Sequence, residues 1–105
     1  MPDTLASSPT FGQRQAAEFA NLFGHPPLAE IEQKRREAWT TVRWHARHAL
    51  AERRMFHETA NLIHHRRWEG FRGQLAHSLK TWAAYRDWAE ALRQRAAMRR
   101  RRSRR

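Results

Sequence analysis

Residues 28–69 read LAEIEQKRREAWTTVRWHARHALAERRMFHETANLIHHRRWE, a run of 42 without glycine or proline. Projected at about 100° per residue, Leu28, Ile31, Ala38, Trp39, Val42, Ala46, Ala49, Leu50, Phe56, Ala60 and Ile63 fall on one side. That side stays in register from end to end, so the pattern predicts one long helix rather than several short ones. Unbroken, such a helix would extend about 60 Å at ~1.5 Å per residue. Downstream, Gly70-Phe71-Arg72-Gly73 carries the strongest break signal and predicts a turn near 70–73. A further helix is expected from about Gln74, with Leu75, Leu79, Trp82, Tyr85, Ala89, Leu92 and Ala96 as its apolar stripe. Two long helices joined by a short glycine loop fold back on each other.

Upstream, His25-Pro26-Pro27 makes a rigid corner, because a residue before proline avoids the helical region and Pro27 can open the next helix. Before that corner, Phe11, Ala16, Phe19, Ala20 and Phe23 lie within helical reach of one another. Ser8-Pro9 reads as a cap with proline at the first helical position, Gly12 weakens the first turn, and Gly24 is a natural stop. Residues 1–8 read as a loose arm. The expected fold is all-α: a short N-terminal helix, then a long antiparallel helical hairpin with a disordered or ligand-ordered basic C-terminal tail. Its parts are 1–24 (arm and short helix), 25–98 (hairpin) and 99–105 (tail). No internal repeat of 20–50 residues is evident. A smaller apolar line, Trp44, Ala51, Met55 and Leu62, runs opposite the main stripe of the long helix. The N-terminal helix is expected to cover part of it and a partner protein the rest.

Charge gives the functional lead. The chain of 105 residues carries a formal net charge of +11, with arginine outnumbering lysine nineteen to two. Residues 99–105 read RRRRSRR. Like charges this dense repel and each guanidinium demands water or an anion, so the run is expected outside any core. A polyanion repays that repulsion, and nucleic-acid phosphates are pitched closely enough to engage several arginines and release their counterions. Arg99, Arg100, Arg101, Arg102, Arg104 and Arg105 are therefore the first candidates for phosphate contact. Arg35, Arg36, Arg43, Arg47, Arg53, Arg54, Arg66 and Arg67, with Lys34 and Arg72, form a second set along the long helix. Trp44, Trp68 and Trp88 lie off or at the edge of the apolar stripes, which makes them candidates for base stacking or for packing on a partner. Trp39 and Trp82 sit on the stripes and are expected in the core. The plainer reading of the helix arginines is a solvated surface with pairs such as Glu32–Arg36.

Other chemistries find little. Without cysteine there are no disulfides or thiolate metal sites. His45, His48 and Glu52 form H-x-x-H-x-x-x-E, and His57, Asn61, His64 and His65 cluster a few turns later. The Glu-x-x-His pairs of di-iron bundles and the H-E-x-x-H of zincins are both missing, so no metal or cofactor is expected. The acids of residues 31–98 are scattered among arginines and read as ion-pair partners rather than as a general acid. There is no glycine-rich phosphate loop and no nucleophile elbow, so an enzyme with a small-molecule substrate is not expected. A strict seven-residue count from Leu28 gives Leu28, Arg35, Val42, Ala49, Phe56 and Ile63, which is no leucine zipper. No apolar run reaches the roughly 18 residues of a membrane span. The N-terminus lacks the basic and apolar segments of a secretory signal. The chain is thus expected inside the cell, with cytoplasm and an organelle such as the mitochondrion undistinguished.

In composition and shape this small arginine-rich helical chain resembles accessory proteins of ribosomes in general, though no motif carries the likeness. The expected function is a non-catalytic, structural subunit of a large ribonucleoprotein particle of ribosome type. It would bind RNA rather than DNA and dock on neighbouring protein subunits. The alternatives are a small helical subunit of a CRISPR surveillance complex, lining a nucleic-acid strand, and an accessory subunit of a respiratory-type membrane complex.

Overall fold

A computed structural model describes residues 10–104. They form three helices with no strand: α1 (Phe11–Phe23), α2 (Leu28–Thr59) and α3 (Leu62–Ser103). The described residues divide into two compact units. One joins residues up to Arg35 with those from Ala83 on, and the other is Arg36–Trp82.

The helix ends follow from local chemistry. Thr10 caps α1: its hydroxyl accepts from the Gln13 amide at 3.1 Å while the Gln13 side chain accepts from the Thr10 amide at 2.9 Å. This reciprocal box satisfies two amide donors that the first turn leaves orphaned. It places the start of this helix after Thr10, and the expected Ser8-Pro9 cap lies outside the described residues. Gly24 ends α1 with φ 82, and its amide donates to the Ala20 carbonyl. That is the left-handed stop a glycine makes without a Cβ penalty.

The turn between α2 and α3 falls at Ala60-Asn61 and not at 70–73. Ala60 takes φ 54, and its amide donates to Phe56 O at 2.7 Å. The Asn61 side-chain oxygen then accepts from the Ile63 amide at 3.1 Å and opens the new helix. A left-handed alanine costs about 1–2 kcal/mol, and the capping asparagine offsets part of it. Gly70 and Gly73 lie inside α3, where a Cβ added at either would meet nothing within 4 Å. Neither glycine serves a turn. The tail boundary at residue 98 is likewise not a helix end, because α3 runs on through Ser103.

In the unit built from both chain ends, Ile31, Ala89 and Leu92 are buried together, with Leu28, Tyr85 and Trp88 packed against them. Glu32 sits beside them and pairs with Arg93 and, at 3.7 Å, with Arg35. On α1, Gly12 and Ala16 are buried, and Phe19 tilts onto Trp88 at 5.1 Å. A Cβ on Gly12 would stand 2.5 Å from the Ala84 carbonyl oxygen, so Gly12 lets α1 sit close on α3. The seat of α1 within its own unit is Ala84, Asp87 and Trp88 of α3.

In the Arg36–Trp82 unit, α2 and α3 pack antiparallel: Trp39 meets Trp82 at 5.1 Å, His45 meets Ser78 at 2.5 Å, and Glu52 meets His64 at 2.6 Å. The α2 residues of this unit that are at least partly buried are Ala38, Val42, His45, Ala46, His48, Ala49, Glu52 and Phe56. Of these, Ala38, Val42, His45, Ala49, Glu52 and Phe56 form the seam, and their steps average 3.6, one face of an α-helix. Leu28, Ile31 and Arg35 continue the same spacing in the first unit. Projected at about 100° per residue, His45 and Glu52 lie within ~40° of Ala38 and Phe56 and are half-buried, whereas Leu50 lies about 120° away and is 62% exposed. On α3 the matching inward positions are Phe71, Leu75, Ser78 and Trp82, with Leu79 exposed.

Candidate nucleic-acid interface

The inward positions of the seam leave most arginines facing water. Arg43, Arg47, Arg53, Arg54 and Arg66 are exposed, and so are Arg99, Arg100, Arg101, Arg102 and Arg104. None of these ten makes an ion pair among the described residues, whose pairs use Arg35, Arg67, Arg86 and Arg93. Arg35 is half-buried beside Glu32, and Arg67 lies 3.9 Å from Glu52. Each thus has an acidic neighbour within the fold, and Arg67 remains exposed to water. Arg36 is exposed and also engaged within the structure. Arg105 lies outside the described residues.

The arginine run occupies the last turns of α3, with Arg100, Arg101 and Arg102 at its basic end. Four successive residues spread over about 300° of helix circumference at ~100° per residue, so Arg99–Arg102 project in every direction. Cations at a helix C-terminus also gain about 0.3–1 kcal/mol each from the helix dipole. In the same unit, Arg93, Arg95, Arg99 and Arg100 rim an open groove floored by Pro27, Leu92 and Ala96. His25 holds Arg95 there through its Nε2. The sequence reading missed this groove because Pro26-Pro27 and Leu92–Arg100 are far apart along the chain.

The tryptophans separate into two groups. Trp88 packs between Phe19 and Tyr85, stacked on the latter at 6.3 Å with 7° between planes. Its Nε1 is buried without a hydrogen-bond partner among the described residues. It belongs to the core, and the base-stacking expectation does not fit its position. Trp44 is 50% exposed, lies flat on His48 at 3.8 Å and meets the Phe71 edge at 5.9 Å. Trp68 is half-buried with two guanidiniums over its ring, Arg72 at 5.3 Å and Arg53 at 5.8 Å. Each such contact is worth about 0.5–1 kcal/mol at an exposed site. Trp39, expected in the core, is 43% exposed and meets Trp82 along one side.

Trp68, His65, Phe56, His57 and Arg53 line a cavity of about 240 Å³. Helical spacing gathers them: Arg53, Phe56 and His57 lie within one turn of α2, and His65 and Trp68 within one turn of α3. The Ala60-Asn61 turn brings the two sets together. His65 Nε2 is held by Glu69 at 3.0 Å, which leaves Arg53 and His57 to supply polar contacts in the lining. The sequence reading named Arg53 and Trp68 but not the cavity, because a turn placed at 70–73 put His65 and Trp68 on the same helix as Arg53.

The histidine clusters are engaged in the fold. His45 bonds the buried Ser78, His48 Nδ1 bonds Trp44 O at 2.8 Å, and His64 bonds Glu52. No group of three or more histidine and acidic side chains among the described residues is placed to hold a metal ion. No helix among them is long and apolar enough to cross a membrane. Compared with known proteins, the chain matches no family, no curated protein and no solved structure.

Proposed function

We propose that this chain is a non-catalytic RNA-binding subunit of a large ribonucleoprotein particle, with ribosome-type assemblies the first such particle to test. The observation that carries the reading is the set of exposed arginines without acidic partners, on α2 and along the last turns of α3. A protein that used these charges for its own stability would pair them. Surface pairs are worth only about 0.2–1 kcal/mol each, and here even that is forgone. A polyphosphate backbone takes up the surplus, and arginine suits it through its forked, always-charged head group. RNA is favoured over DNA because guanidiniums stand over the Trp68 ring and the Trp44 ring is half exposed. Unpaired bases of single strands and loops stack on such rings, while duplex bases are already stacked.

The exposed apolar side chains suit the second half of the proposal, docking on protein neighbours. Leu22, Phe23, Leu50 and Leu62 are each more than 60% exposed, an arrangement that a particle would cover. The test is to isolate the chain from its native cells by a tag and identify what accompanies it. RNA of defined sequence with a constant set of proteins, lost on ribonuclease treatment, is the expected result. Association only with protein or lipid, insensitive to ribonuclease, would refute it. A guide RNA in place of ribosomal RNA would move the assignment to a surveillance complex.

A further inference from the structure

The cavity bounded by Phe56, His65 and Trp68 brings three aromatic rings and the Arg53 guanidinium onto one half-open volume. At about 240 Å³ it falls below the ~300–1,000 Å³ of drug-sized ligand sites. It is therefore sized for one ring system, with any sugar and phosphate left outside. The rings lie at graded tilts: Phe56 to His65 at 5.2 Å and 48°, His65 to Trp68 at 5.8 Å and 35°. Arg53 enters the lining from α2, while Arg72 lies over Trp68 from the next turn of α3, outside the lining.

We propose that this cavity receives a single unpaired nucleobase of a bound RNA strand, with Arg53 serving the adjoining phosphate. The proposal rests on the RNA-binding reading and deepens it by naming what enters the site. A nucleotide uses both features of the lining, its base with the π face against Trp68 and the acceptor edge toward His57, and its phosphate toward Arg53. A carboxylate from an acidic protein would use the guanidinium alone and leave the ring faces wet. Duplex RNA is excluded from the cavity, because its bases remain stacked and paired. Arg72 holds the ring in place from outside the cavity, so the platform is preformed before the strand arrives.

The test uses the full chain and three fluorescent probes of equal length read by anisotropy at fixed salt: single-stranded RNA, the same strand without bases, and its duplex. The single strand is expected to bind about 5- to 150-fold more tightly than the abasic strand, the equivalent of ~1–3 kcal/mol for one stacked base. This comparison needs no variant and is unaffected by any loss of folding. Trp68→Leu is expected to erase the preference, Trp68→Phe to keep most of it, and Arg53→Gln to weaken both single strands alike. Equal binding of the two single strands, or a preference that survives in a folded Trp68→Leu chain, overturns the nucleobase site and leaves the electrostatic reading standing. Absence of binding to any RNA probe overturns both. Polyglutamate competing as strongly as single-stranded RNA would replace the nucleobase with an acidic protein segment and also overturn the proposal.

Discussion

Replacing Gly12 by alanine sets two opposed effects against each other, and the structure decides the sign. On helix propensity alone, Gly12→Ala should stabilise α1 by about 0.5–1 kcal/mol, because glycine loses more backbone freedom on folding. The new Cβ, however, would stand 2.5 Å from the Ala84 carbonyl oxygen, 2.7 Å from Asp87 Cβ and 2.9 Å from Ala84 Cα. Two of those three neighbours are backbone atoms of α3, which cannot swing aside as the tip of a long side chain does. The helices must move apart, and inserting a methyl group into such a contact costs about 1–3 kcal/mol. The Phe19–Trp88 contact at 5.1 Å shares that interface and would loosen with it. The expected net effect is a loss of about 1–2 kcal/mol, bounded above by the free energy with which α1 docks. Beyond that bound the helix simply detaches. Thermal unfolding should then move down by about 4–8 °C per kcal/mol in a chain of this size, and amide exchange in Phe11–Phe23 should accelerate before the rest of the molecule responds. A chain stabilised by the substitution, with exchange in α1 slowed, would show that α1 does not sit on Ala84 and would refute the reasoning.

Other substitutions probe the rest of the fold. Gly70→Ala and Gly73→Ala should each stabilise by about 0.5–1 kcal/mol in denaturant titrations, since both lie mid-helix with open space around a Cβ. Destabilisation by either would return the turn to 70–73. Ala60→Gly, which relieves a left-handed alanine at φ 54, should gain about 0.5–1 kcal/mol after the added freedom of the unfolded chain is counted. Glu52→Ala removes the carboxylate that His64 and Arg67 share. A loss of about 1–2 kcal/mol is expected for a half-buried charged hydrogen bond, and an unchanged midpoint would show that the pair carries no stability.

The all-α class, the stop at Gly24 and the proline corner were legible because each rests on local backbone chemistry that one or two residues dictate. The position of the hairpin turn was not. Gly-x-x-Gly is a strong turn signal in isolation, but the chain reverses ten residues earlier, at an alanine that bears its strain because Asn61 caps the helix that follows. Thr59-Ala60-Asn61 did hold the clue, an asparagine at the head of an apolar segment. It was masked because Ala60 and Ile63 also fit the helical stripe. The polar members of the seam escaped for a related reason. His45, Glu52 and Ser78 project within the apolar stripes but, being polar, read as outward residues, whereas antiparallel pairing places each opposite a partner that satisfies it. At the candidate interface, the exposed arginines could be read from charge density alone. The neighbours of Arg35, Arg67 and Trp88, namely Glu32, Glu52 and Phe19, could not, because they meet only once the chain is folded.

The salt dependence of RNA binding tests most directly whether the unpaired arginines exist to neutralise phosphate. For single strands, log K falls against log salt with a slope of about −0.7 per phosphate contacted. Deleting residues 99–105 removes six arginines, so the slope should become shallower by as much as about 4 if all six are engaged. A truncated chain with the same slope and affinity as the full one would contradict the assignment of that run to phosphate, and a full chain whose binding ignores salt would contradict the account as a whole.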